Sequence, residues 1–325
     1  MLRETLFTKK EEMAPTRDGF GKALLDLGKD ERIVALCADL TESVKIQAFK
    51  DAYPKRFFEA GICEQAMASV ASGMASMGKI PFMASYAMFS PGRNWEQIRT
   101  TIAYNDQPVK IVGAHAGVSV GPDGATHQAL EDIAIMRAMP NMKVIVPCDS
   151  VEAYKATVAI AKIDKPFYLR LTREKTPIMT EETAQFAIGK AYVMNIPKGN
   201  KMHEAGIIGC GPILYEALKA SRELEDEGVS VTVANMHTVK PLDEDFLLRF
   251  AKDKKRIVIV EEHQKHGGLG SAIAEFLSAN MPTPLEFISV DDRFGQSGTP
   301  KELYEEYGLT SEHIKEKVRK VVGRY

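Results

Sequence analysis

The chain has 325 residues, with 42 lysines and arginines against 44 aspartates and glutamates and a formal net charge of −2. That balance argues against a nucleic-acid footprint, which would show as a basic excess or stripe, and the composition (45% hydrophobic, 26% charged, no low-complexity tract) is that of an ordinary globular protein. The scattered Cys37, Cys63, Cys148 and Cys210 exclude a disulfide framework or zinc ribbon; with no signal-peptide core and no run of about 18 apolar residues, a soluble cytoplasmic protein without a membrane partner is expected.

In chain order, short apolar runs alternate with longer segments of helical period. RIVALCADL (32–40) reads as a buried strand, EQAMASVASGMASMG (64–78) as a helix rich in small residues, and KIPFMAS (79–85) as a strand. The amphipathic NWEQIRTTIAYND (94–106) precedes the strand VKIVGAH (109–115), a glycine-rich loop and the helical HQALEDIAIMRAM (127–139). KVIVPC (143–148), the helix VEAYKATVAIAK (151–162) and PFYLRL (166–171) complete the first unit. Between about 172 and 204, a polar stretch with Pro177, Pro197 and Gly199 breaks the rhythm. The alternation then resumes through EAGIIGCG, YEALKASRELEDE, VSVTVANM, EDFLLRFAKD, RIVIVEE, GSAIAEFLSAN and LEFISVDD to polar helices around 300–321. At roughly 100–200 residues per domain the length suits two domains, placed at 1–185 and 186–325. The pattern predicts an α/β protein in which each domain is a mostly parallel sheet with flanking helices.

In open parallel sheets ligands bind beyond the carboxyl ends of the strands, and three segments there carry chemistry. In GICEQAM (61–67), Glu64 opens a helix that is apolar nearly all round. A carboxylate there either complements the helix dipole or is a lone buried acid, kept protonated by desolvation and able to hand a proton to a ring nitrogen. In ASYAMFSPGRNW (84–95), Tyr86 and Phe89 are spaced either to join the core or to wall a flat pocket. In HAGVSVGPDGATHQALED (115–132), His115 opens a loop with Gly113, Gly117, Gly121 and Gly124 in or beside it. The loop ends in Asp123, Thr126 and His127, with Thr126 suited to cap a helix. Two histidines and an aspartate in one such loop are the most specific signal in the chain.

These segments, with TRDGFGKAL, ADLTES, AGICEQAM, SYAMF, GPDGATHQALEDIAIMRAMPNM, VPCDSVEA and LRLTREKTP, resemble the carboxyl-terminal half of transketolase over essentially the whole chain. The family's Gly-Asp-Gly diphosphate and metal motif is missing, so the chain looks like the second subunit of a split transketolase, with pyrimidine-binding and C-terminal domains. The resemblance implies thiamine diphosphate as cofactor, with Mg²⁺ or Ca²⁺ held by an N-terminal partner subunit and no metal ligand in this chain. It implies that Glu64 hydrogen-bonds the pyrimidine ring nitrogen and drives its imino tautomer, that Tyr86 and Phe89 pack on the pyrimidine, and that Asp39 lies near the thiazolium ring, although a strand-end cap serves Asp39 equally well. His127 would contact the donor ketose, Asp123 a sugar hydroxyl, and Arg17, Ser43, His115 and Arg173 the terminal phosphate, for which arginine offers a bidentate fork. Two departures stand out: Tyr86 where many relatives have phenylalanine, and Gly92 where they have a third ring.

The implied reaction is transfer of a two-carbon ketol unit between sugar phosphates, a pentose-phosphate-pathway chemistry, in a dimer of heterodimers, with a homodimer open to the chain alone. Half of a 1-deoxy-xylulose-5-phosphate synthase or the β subunit of a 2-oxoacid dehydrogenase are the competing enzymes, and a non-catalytic scaffold is the reading from outside the enzymes. HQKHGGLGSAI (263–273) is read as structural or interfacial, in a second domain that the resemblance keeps away from the chemistry; His237 is read as structural, and Cys63, next to Glu64 in the first domain, as a packing residue.

Overall fold

Strands apolar at every position have to be covered on both faces, and IVALC (β1, Ile33–Cys37) meets that demand. In the computed structural model, which describes residues 2–196 and 205–323, β1 lies inside a sheet with β2 (Phe57–Glu59), β3 (Ile80–Tyr86), β4 (Lys110–Ala114), β5 (Lys143–Ile145) and β6 (Phe167–Arg170). These six run parallel in the order β5-β6-β4-β3-β1-β2. The second sheet combines β7 (Tyr192–Asn195), β8 (Ala205–Gly209), β9 (Val231–Asn235), β11 (Ile257–Gln264) and β12 (Leu285–Val290) in the order β12-β11-β8-β9-β7, with β7 antiparallel to β9. Between β9 and β11 the chain crosses back. β10 (Thr238–Lys240) pairs antiparallel with β5, so residues of the sequence's second unit form the seventh strand of the first sheet. Two α/β domains with sheets flanked by helices are what the strand pattern predicts; Pro197 and Gly199 lie outside the described residues.

The helices that bear on the site and its support are α1 (Thr16–Leu27), α2 (Glu64–Ser76), α3 (Asp132–Arg137), α4 (Ser150–Ala161), α5 (Leu214–Asp226), α6 (Glu244–Lys254), α7 (Leu269–Asn280), α8 (Pro300–Glu306) and α9 (Ser311–Val322); a further short helix spans Gln47–Ala52. Capping explains several starts. The Asp149 side chain accepts the Glu152 N–H at 2.7 Å to begin α4, and Thr299 with Glu302 forms a reciprocal capping box before α8. The glycine-rich segment before α7 needs no external anion, because the buried Glu261 accepts the Leu269 and Gly270 N–H groups at 2.7 and 2.8 Å.

Three local expectations fail. The 94–106 segment is helical over 95–103, but as regular α-helix only over Trp95–Gln97 before widening to a π-helix over Ile98–Ala103. The helix expected over 127–139 shortens to Asp132–Arg137, and Thr126 bonds to His127 Nδ1 rather than capping it, because the residues before 132 are held in the loop by their own contacts. Nor is α2 buried all round. Gln65, Ala66, Ser69, Val70, Gly73 and Met77 are exposed along one side, and Cys63 at its start is exposed rather than packed.

Helix α1 carries glycines that depress helix propensity, and the structure supplies their purpose. A Cβ on Gly19 would lie 1.8 Å from the Ser150 carbonyl oxygen of α4, and one on Gly21 would lie 2.2 Å from the Lys45 carbonyl oxygen. Gly19→Ala therefore sets a propensity gain of about 1 kcal/mol against a backbone clash that cannot rotate away. The clash wins: a net loss of about 1–3 kcal/mol is expected as a lower urea midpoint at unchanged slope.

Candidate active site

Because β1 to β6 are parallel, their carboxyl ends meet along one edge; Tyr86 ends β3, and Asp39, His115 and Arg173 follow β1, β4 and β6. Glu64 joins that edge as the first residue of α2. It is 1% exposed, and it is not a lone acid: Arg93 Nη1 donates to its Oε2 at 2.9 Å. The Arg93 guanidinium also lies 5.5 Å from the Phe89 ring centroid. Asn94, fully buried, donates to the Glu64 main-chain carbonyl at 3.0 Å and fixes the start of the helix. The carboxyl expected to stand alone is thus an ion pair whose cation is still 45% exposed.

The aromatic residues converge as their spacing allows. Tyr86 and Phe89 rings are nearly parallel, with centroids 6.1 Å apart and planes at 14°. His115 stacks on Tyr86 at 3.8 Å, and His127 stands edge-on to both Phe89 (5.5 Å) and Tyr86 (6.2 Å). Gly92 is not a vacated ring position in this backbone, since a Cβ there would lie 2.0 Å from the Met88 carbonyl oxygen.

Arg17 on α1 donates through Nη1 to the Ser43 carbonyl at 2.7 Å and contacts His115 Nε2 at 3.1 Å. A guanidinium only donates, so Nε2 accepts and the His115 proton sits on Nδ1. His115 Nδ1 and Arg17 Nε are both buried without a hydrogen-bond partner among the described residues, two N–H groups suited to an anionic oxygen. Burial foremost, and then Arg17, Arg173 and His127, push the His115 pKa down to about 3. Arg173 donates to the Val120 carbonyl at 2.8 Å and to Asp123 Oδ1 at 3.2 Å, so the two residues expected on separate parts of a substrate pair with each other. Asp39 is exposed with φ 57°, and the capping work at its strand end belongs to Glu59. Glu59 accepts the Asp39 and Gly61 N–H groups at 2.8 and 3.0 Å and the Thr41 hydroxyl at 3.1 Å.

Arg93, Asn94 and Glu59 are the site residues that sequence reading missed. Arg93 and Asn94 sit inside the segment read for its aromatics, where a basic residue four positions beyond Phe89 is the available signal.

The histidine yields a sign-definite expectation. Its folded pKa lies below the ordinary 6.5, so the unfolded chain takes up the proton first. The stability contributed by the neutral ring is complete above about 6.5 and erodes as pH falls toward about 3. The His115 ring resonances should show no inflection between about pH 5 and 8, and His115→Phe should flatten the acid limb of a stability-versus-pH curve.

Comparison with known proteins agrees with this architecture. The family described as "Transketolase, pyrimidine binding domain" matches residues 12–179, and "Transketolase, C-terminal domain" matches 197–314. A putative transketolase C-terminal section from Methanocaldococcus jannaschii is 42% identical over 306 residues, covering 93% of this chain and 94% of that one. A 6-deoxy-6-sulfo-D-fructose transketolase subunit from Clostridium sp. is 38% identical, with 98% of each chain covered. Among solved structures, one titled "Split gene transketolase, inactive beta4 tetramer" superposes with a TM-score of 0.87 at 40% identity, covering 95% of this chain and 98% of that one. The chain belongs to the transketolase family. Within it, the chain is a transferase component that pairs the pyrimidine-binding domain with the C-terminal domain and matches split transketolase chains over nearly their full length.

Proposed function

We propose that the chain is the carboxyl-terminal half of a thiamine-diphosphate-dependent transketolase that moves a two-carbon ketol unit between sugar phosphates, its site completed by a second chain bearing the diphosphate-binding domain. One observation carries the reading: a buried carboxyl, a near-parallel ring pair and two unpartnered buried N–H groups share one sheet edge. The fit to the cofactor rests on the first two, since a flat heterocycle needs an apolar wall and an acid at its edge. When bound, thiamine diphosphate supplies the carbon nucleophile and electron sink that two-carbon transfer requires.

The residues of this chain then have distinct tasks. Glu64 offers its carboxyl to a ring nitrogen, and Arg93, now on Oε2, has to share or yield that oxygen. Tyr86 and Phe89 bear on the ring and keep water from it, with Asp39 at the rim. His127, edge-on to both, reaches toward the donor carbonyl as a proton relay. Arg17, Ser43, His115 and Arg173 grip the substrate phosphate, and Asp123 takes a sugar hydroxyl. The diphosphate and its Mg²⁺ or Ca²⁺ belong to the partner. The exposed side of α2, built of small residues with Val70 and Met77, offers a surface for close helix packing in a dimer of heterodimers. The relative solved as a β4 tetramer is titled inactive, which accords with a half-site.

The chain alone should show no turnover, and adding the N-terminal subunit should restore it with xylulose 5-phosphate but not with pyruvate. Robust activity from the isolated chain, or a preference for pyruvate, overturns the reading. Glu64→Ala should lower kcat about 100-fold or more, the scale of lost acid–base catalysis, while the pair still assembles by size-exclusion chromatography. A scaffold subunit would lose nothing.

A further inference from the structure

Glu262 belongs to β11 in the second sheet, yet its carboxylate serves the first domain. It is 3% exposed. Oε1 accepts the Ser119 N–H at 2.6 Å, Oε2 accepts the Tyr304 hydroxyl at 3.0 Å, and its main-chain carbonyl accepts Arg170 Nη2 at 2.9 Å. The loop passes so close that a Cβ on Gly117, which has φ +89°, would lie 2.2 Å from Glu262 Oε1. Only a glycine fits that conformation and that space together.

Ser119 sits in the tight turn Val118–Val120, and the turn's last carbonyl, that of Val120, receives Arg173 Nη1, which also holds Asp123. A second brace follows ten residues along. Gln128 Nε2 donates to the Val118, Gly121 and Gln296 carbonyls at 3.1, 3.2 and 3.0 Å, tying both ends of the loop to the C-terminal domain. The route from Glu262 to the Arg173–Asp123 pair therefore runs through one main-chain hydrogen bond and one turn, all within direct contact. The second domain thus contacts the histidine-bearing loop directly.

We propose that Glu262 is a positioning residue: by fixing the Val118–Val120 turn it sets the Arg173–Asp123 pair, so the C-terminal domain governs affinity for the phosphorylated substrate without touching it. The substrate class rests on the functional reading above; the clasp itself does not.

Glu262→Ala leaves the buried Ser119 N–H unpaired. In the full chain, hydrogen exchange of the amides in 117–128 should accelerate about tenfold while the sheets keep their protection. In the reconstituted pair, KM for the sugar phosphate should rise about tenfold with kcat changed less than about threefold. Glu262→Gln keeps an amide oxygen for Ser119 and an N–H for the Tyr304 oxygen, and should restore both readouts. Tyr304→Phe removes one hydrogen bond at little cost to packing and should give a smaller shift in the same direction, which keeps the test open if the alanine variant does not fold. Unchanged loop exchange, acceleration spread uniformly over the chain, a loss confined to kcat, or a glutamine variant as impaired as alanine overturns the proposal. A pair that turns over no sugar phosphate overturns the functional reading instead, and loop exchange then decides the clasp alone.

Discussion

The buried ion pair between Arg170 and Asp132 is the constraint on which the rest of the site depends. Arg170 ends β6, Asp132 opens α3, and Nε meets Oδ2 at 2.8 Å with both side chains at most 2% exposed. Tyr168 adds a hydrogen bond to the same oxygen at 2.6 Å. Burial alone would raise the Asp132 pKa, but Arg170 foremost, then His263 and the hydrogen bonds from Arg170 and Tyr168, hold it below the ordinary value. Arg170 Nη2 donates to the Ala129 and Glu262 carbonyls at 3.3 and 2.9 Å. One guanidinium thus joins the first sheet, the far end of the histidine-bearing loop and the second domain. Such a pair adds little net stability against an apolar replacement, but losing one partner strands a buried charge at about 3–5 kcal/mol. Its value here is geometric: it defines where the loop ends.

The strands were legible because buried parallel strands are apolar throughout, and the amphipathic helices α5, α6 and α9 because their burial follows the helical period. Glu64, Tyr86, His115 and His127 were legible for a related reason: polar or aromatic residues at the ends of apolar strands have few structural uses. What stayed hidden was pairing across distance. Arg93 meets Glu64 across 29 residues and Ser119 meets Glu262 across 143, and nothing local in either segment announces the other. The same limit explains why 127–139 was read as one helix. Its apolar period is genuine, but Gln128 and Ala129 are spent on contacts with the turn, the second domain and Arg170, and tertiary bonds override local preference.

The Glu64–Arg93 pair and the Arg17–His115 pair show one design in two forms. Each sets a buried group against an arginine at the sheet edge, exposed in the case of Arg93 and half-buried in the case of Arg17. The carboxyl keeps its polarity through a cation, while the imidazole beside a cation is held neutral and left with an unpartnered N–H. The same cation type therefore meets a carboxyl near α2 and a neutral imidazole near α1, which separates an acid-bearing face from an anion-receiving one.

The three residues of β10 have a bearing on how such a protein can be divided. They hem the outermost strand of a sheet built otherwise from the first half of the chain. A fragment stopping short of Thr238 would expose the flank of Lys143–Ile145 as a bare β-edge, a template for self-association. The boundary that composition marks is therefore a poor place for gene fission or domain excision, and any recombination of these modules has to carry that borrowed hem along.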